Sequence, residues 1–258
     1  MSQPATQILA SAVFVLAAAW LAHRQRLGLS RSLLTAAGRA AVQLAIVGAL
    51  IALVFRVPAL AIAFVAVMVL TASLTAGSRL RALPGARRIA IGAIALPALG
   101  ATGVLLLVGA FAATPRATIP TAGILIGGAM LATTLTGRRL VDDLIAGVDE
   151  IEARLSLGDR ARDALVPLTR RAISGALVPL IDQTRSAGLV TLPGTFVGLV
   201  LGGASPETAA RVQLTVLLTL LLVQLLSALL TAELVTRAAT LPGERVRVLR
   251  SPAGHRPR

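Results

Sequence analysis

Residues 188–206 read GLVTLPGTFVGLVLGGASP. The stretch is apolar enough for a bilayer, yet it carries five glycines and two prolines, the residue types least favourable to a helix. Whether it crosses a membrane sets the number and parity of spans in the whole chain. Read as a crossing, it forms most of a segment over 187–204, ended on the outer side by Gly202, Gly203 and Pro206. Pro193 removes one backbone donor and kinks or unwinds the helix, and Gly194 and Gly198 have the GxxxG spacing that lets two helix backbones approach. Two readings stand. The glycines serve close packing, at a dimer interface for example. Or the helix is broken and its freed carbonyls line a pathway, because non-helical backbone at membrane depth is tolerated only where protein or water covers it.

The surrounding chain supports a membrane setting. Of 258 residues, 56% are hydrophobic and only 14% charged, beyond the usual range of soluble domains. Six other apolar runs, at 5–22, 33–55, 58–77, 89–111, 119–136 and 208–236, approach the ~20 residues that span a hydrocarbon core. The expectation is an all-α polytopic membrane protein of about seven spans, forming one permease domain over 1–258. Twelve or so residues at 172–185 are too few to cross, so this segment reads as an interfacial helix or a re-entrant half-helix.

All basic residues are arginine, 25 of them, and net charge is +14. With seven spans and the N-terminus outside, twenty arginines fall in inside segments, against Arg56 and Arg116 in outside loops. That asymmetry is the positive-inside rule; it accounts for the basicity without nucleic acid and places the C-terminus in the cytoplasm. The N-terminal run is followed, not preceded, by its positive charges, the wrong order for a cleaved signal. Cysteine is absent, which excludes thiolate metal sites. The tail over about 238–258 is basic, and its Pro-, Gly- and Arg-rich end, with His255, reads as disordered.

No acid precedes Asp142, and seven of the 11 acids lie in DDLIAGVDEIEARLSLGDRARD, 142–163. The block sits in a cytoplasmic loop over about 137–171. Leu144, Val148, Ile151, Leu155 and Leu157 give it a helical apolar stripe. It is either a docking helix for a soluble partner or a solvated connector. EARLSLG, Glu152 to Gly158, resembles the EAA-type coupling loop of ABC permeases, a short cytoplasmic helix that fits a cleft on the ATPase and transmits its closure. On that resemblance Glu152, Ala153, Gly158 and Asp159 carry the contact, with Gly158 allowing a turn between two short helices.

A wider resemblance covers most of the chain. RAAVQLAIVGALIALVF, with Arg39, Gln43 and Gly48, and the C-terminal third, with Pro179–Asp182, Gly188, Leu192, Pro193, Gly194, Gly198, Gly202, Gly203, Pro206, Ala210 and Gln213, are similar to the FetB-like (iron-efflux type) ABC permeases, related to plant aluminium-tolerance permeases. The resemblance implies a permease homodimer in the bacterial plasma membrane, a separate ATP-binding subunit, and export of a metal cation such as iron. The family commonly has methionine after LPG; here Thr195 and Phe196 follow. With no lysine and no GxxxxGK phosphate loop, this chain has no ATP site of its own. No catalytic residue and no cofactor are expected, and metal ligands are not identified. Met68 and Met130 read as packing residues.

Candidate pathway residues are Arg39 and Gln43, one turn apart on one face; Asp182, the acid nearest the membrane after the coupling loop and three residues from Arg185; Pro193 and Gly194; and Gln213. Arg39 either snorkels or serves the pathway. Asp182 either pairs locally with Arg185 or contacts a cation. Gln213 and Gln224 either bond across helices or line a cavity. Alternatives for the whole are a secondary transporter or channel, disfavoured by the lack of acids in the first five spans, and a non-transporting anchor or regulator of a soluble ATPase.

Overall fold

A computed structural model describes residues 3–247; His255 and the end of the basic tail lie outside them. The chain divides into two compact units, 1–60 and 61–258. In the first, α1 (Gln3–Arg24) and α2 (Ser30–Val54) pack as a helical pair. The Arg24 guanidinium sits 5.4 Å from the Trp20 ring centroid, a cation–π contact. Arg39 and Gln43 are both exposed on α2.

The second unit holds α3 (Pro58–Arg79), α4 (Ala86–Leu107), α5 (Pro115–Ala146), α6 (Val148–Ser156), α7 (Ala161–Ala164), α8 (Val166–Ser186), α9 (Gly194–Leu201) and α10 (Pro206–Ala239), then a hairpin of β1 (Thr240–Leu241) and β2 (Arg245–Val246). Thus the last helix continues into an ordered strap before the undescribed residues begin. α10 starts where Ser205 accepts the Thr208 N–H at 3.2 Å, with Pro206 in the first turn, the expected cap and starter. At 34 and 32 residues, α10 and α5 are roughly 50 Å long, well beyond a ~30 Å hydrocarbon core. Their surplus carries the structure at one end of the unit.

Among the described residues, seven helical stretches are long and apolar enough to cross a membrane, as the sequence suggests, but the sixth is not 187–204. Helix α9 has eight residues, about 12 Å, too short to cross. The chain from 187 to 193 is non-helical. Gly188 has φ 96°, a conformation that suits glycine, and its N–H donates to the Thr191 carbonyl at 2.7 Å. The helix long and apolar enough for the sixth crossing is instead α8, whose 21 residues reach ~31 Å. Segment 172–185 is not a separate short helix. It is the apolar part of a longer helix that begins in the polar turn at 166–171. One segment gains a crossing and the next loses it, so the parity is unchanged.

Two buried clusters hold the second unit. One joins α3, α4, α5 and α10 through Ala76, Ile94, Leu125 and Val223, with Met68 and Met130 packed against it. The other gathers Leu80, Leu140, Ile151, Leu168 and Val235, with Val246 of the strap against it. Leu80 is fully buried and lies where a Gly137 side chain would go. A Gly137→Val change overpacks this point, which typically costs about 1–3 kcal/mol. The expected fall in thermal midpoint in detergent is roughly 2–12 °C, with Gly100→Val, which meets open space, as the unaffected control.

Candidate functional site

Two features sit at opposite ends of α5, α8 and α10. At the end where α8 finishes and α10 begins is a cavity of about 280 Å³. Its polar lining is Gln183 and Thr184 from the last turns of α8, Thr191 and Thr195 around the broken stretch, and Gln213 and Gln224 from α10. Ile124, Leu180, Pro193, Val216, Leu217 and Leu220 complete it with Ala187. No charged side chain lines it. On α10 the lining positions 213, 216, 217, 220 and 224 recur at helical spacing, one stripe facing one space.

Gln213 and Gln224 are 8% and 4% exposed, and neither side chain bonds to another described residue. Of the two readings left open by the sequence, they line a cavity rather than bond across helices. The Gln213 Oε1 is buried with no donor, an arrangement that ordinarily costs about 1–3 kcal/mol and calls for a partner. Ser227, one turn on from Gln224, likewise has a buried hydroxyl without a partner. Asp182 lies beside this cavity in sequence but outside its lining. Its side chain is 59% exposed and pairs with Arg185 at 3.3 Å. Gly194 and Gly198 are open, with nothing within 4 Å of an added Cβ, so no helix of this chain packs into that notch.

At the other end, α6 and α7 form an elbow around Gly158, whose φ of 96° makes the turn that a side chain would resist. Glu152, Ala153, Gly158 and Asp159 are all exposed on it. The apolar stripe splits: Leu144 and Ile151 are buried, while Leu157 at the tip is 87% exposed. Polar ties on α6, α7 and the strap fix the elbow. Glu150 pairs with Arg154 at 3.5 Å and with Arg171 of α8 at 3.1 Å. The Arg162 Nη2 of α7 donates to Glu233 Oε2 of α10 at 2.6 Å, and Glu233 Oε1 takes the Arg237 Nε at 2.7 Å. The Ala161 N–H donates to Glu244 Oε2 of the strap at 2.6 Å. Glu244 has φ 52°, a left-handed conformation that costs a non-glycine residue about 1–2 kcal/mol and that this bond helps to hold.

Glu233 reads from sequence as a snorkelling or capping charge, and Glu244 carries no local signal. Their partners are 71 and 83 residues away, beyond any periodicity. Thr191 and Gln183 are equally unmarked, since their place depends on where the helix breaks. The effect is that α10 bears on both features: Gln213 and Gln224 face the cavity, and Glu233, nine residues or roughly 14 Å further along, holds the elbow.

A profile of the family described as uncharacterised protein family UPF0014 matches residues 5–239. Among curated proteins, the UPF0014 membrane protein STAR2 of Oryza sativa is 36% identical over 212 residues, covering 81% of this chain and 74% of that one. Protein ALUMINUM SENSITIVE 3 of Arabidopsis thaliana is 34% identical, covering 81% and 77%. The Escherichia coli protein called "Probable iron export permease protein FetB" is 32% identical, covering 79% and 80%. No solved structure matches.

Proposed function

The chain belongs to the UPF0014 family of multi-pass membrane permeases, and from that premise we propose that it is the membrane-spanning subunit of an ABC exporter of a metal cation such as iron. A separate ATP-binding subunit docks on the elbow, with Leu157 at the tip entering its cleft and Glu152, Ala153 and Asp159 around it. Closure of the ATPase on ATP moves the elbow. Arg162–Glu233 and Ala161–Glu244 pass that movement to α10, and α10 reshapes the cavity lined by Gln213 and Gln224. Alternating access then takes the form of rigid helices rocking about fixed ties.

One observation carries this reading: a single helix joins the exposed elbow to the uncharged cavity. The name given to the Escherichia coli relative supports iron as cargo and export as the direction. The arginine asymmetry supports an outer N-terminus and a cytoplasmic elbow and C-terminus, with Arg185 and Arg211 joining the few outer charges when α8 is taken as the sixth crossing. The unfilled Gly194–Gly198 notch suits the backbone of a second copy and supports a permease homodimer in a bacterial plasma membrane. Arg39 and Gln43 stay candidates for contacts made by α2.

Co-expression with candidate lone ATP-binding proteins from the same genome is the test. The expected product is a detergent-stable complex of two permeases and two ATPases, with ATPase activity raised by the cargo cation. Recovery of the chain alone, under conditions where both proteins are abundant, would contradict the reading.

A further inference from the structure

We infer that the cavity takes its cargo cation with the first water shell intact, the waters donating hydrogen bonds to Gln213 and its neighbours instead of giving way to protein ligands. The inference rests on the permease reading for the cation being cargo. The cavity itself supplies the rest.

Its polar groups are amides and hydroxyls only. Among the described residues there is no group of three or more His, Cys, Asp or Glu that could hold a metal ion. Neutral oxygens suit hard cations, but they offer a stripped divalent ion no compensating charge, and a bare ion in a low-dielectric site is very costly. Small divalent cations also give up water reluctantly and keep several waters when bound. Retaining the shell enlarges the effective ion and lowers the desolvation cost.

The space and the donors match. At ~30 Å³ per water, about 280 Å³ holds about nine, enough for an octahedral shell with some slack. The buried, donorless Gln213 Oε1 calls for a partner, which the O–H of a shell water supplies without the ion giving up its waters. Water-mediated bonds of this kind are nearly as favourable as direct ones. Gln183 and Thr184 bring the last turns of α8 to the cavity wall, and a helix C-terminus carries partial negative charge.

The probe is hexaamminecobalt(III), an octahedral cation whose six ammonia ligands donate hydrogen bonds as waters do and do not exchange. It is titrated calorimetrically into the full-length protein in lipid nanodiscs. Saturable binding that Mg²⁺ displaces is expected. Gln213→Leu should weaken it at least tenfold, and Gln213→Glu, which keeps the size and adds charge, should strengthen it. Asp149→Asn, at an exposed acid of α6, should leave it unchanged, which separates the cavity from the acids of the elbow. The inference is overturned if the probe fails to bind while Mn²⁺ binds with direct protein ligands in its electron-spin spectrum. It is also overturned if neither Gln213 variant alters probe binding. Either failure alongside intact partner-dependent transport leaves the permease reading standing; lost transport alongside normal probe binding sinks that reading and not this one.

Discussion

Leu157→Asp is expected to abolish docking of the proposed ATP-binding subunit while leaving the membrane fold intact. The side chain is 87% exposed at the tip of the elbow, one residue before the Gly158 turn, whereas Ile151 of the same stripe is 4% exposed in the core. An exposed leucine contributes little to its own fold, so the thermal midpoint should hold within a degree or two. In a partner's cleft it would be the apolar anchor. Losing such an anchor costs about 2 kcal/mol or more, a factor of roughly 30 in affinity, and a buried unpaired carboxylate adds to that. Co-purification with the ATPase and partner-dependent nucleotide hydrolysis read the effect. Undiminished partner binding would remove the elbow as the docking element.

Glu233→Ala is expected to act differently: the partner still binds and hydrolyses ATP, but flux per ATP falls about tenfold. Glu233 holds Arg162 of the elbow and Arg237 of its own helix at 2.6 and 2.7 Å. The arginine partners are 63% and 68% exposed, so the pairs add at most about 1 kcal/mol to stability, and the fold should survive their loss. What goes is the side-chain tie between elbow and α10, leaving Arg162 and Arg237 without their shared acid. Paired measurements of ATP hydrolysis and flux on the same vesicles would show the split. An unchanged ratio would mean that force reaches the cavity by a route other than the Arg162–Glu233 tie.

The two predictions rest on different kinds of legibility. EARLSLG and its glycine announce a turn between short helices, and the structure makes that turn at Gly158. Hydropathy announces seven crossings, and seven suitable helices are present. It misplaces the sixth because a hydropathy window reads side chains and not backbone. GLVTLPGTFVGLVLGGASP is as apolar as a span, yet Gly188 and Pro193 hold its first third out of helix. In turn, the polar residues Thr169, Arg170 and Arg171 hide the start of α8. Gln213 and Gln224 are visible as polar residues in an apolar helix, but which side they face emerges only once α8 and the broken stretch are in place. Glu233 and Glu244 are legible only in three dimensions, because their ties close loops of more than seventy residues. The helix breakers of the opening stretch fold it into a wall of the cavity, through Thr191, Pro193 and Thr195.

The central claim is that ATP hydrolysis by a partner, acting through the elbow and α10, drives a cation across the membrane. Its most direct test is iron(II) flux in proteoliposomes holding the purified chain, with and without the ATP-binding protein and ATP. The account predicts flux that requires both the partner and hydrolysable ATP and that Glu233→Ala uncouples. Equal flux from the chain alone, without partner or nucleotide, would contradict it and identify a channel or secondary transporter instead.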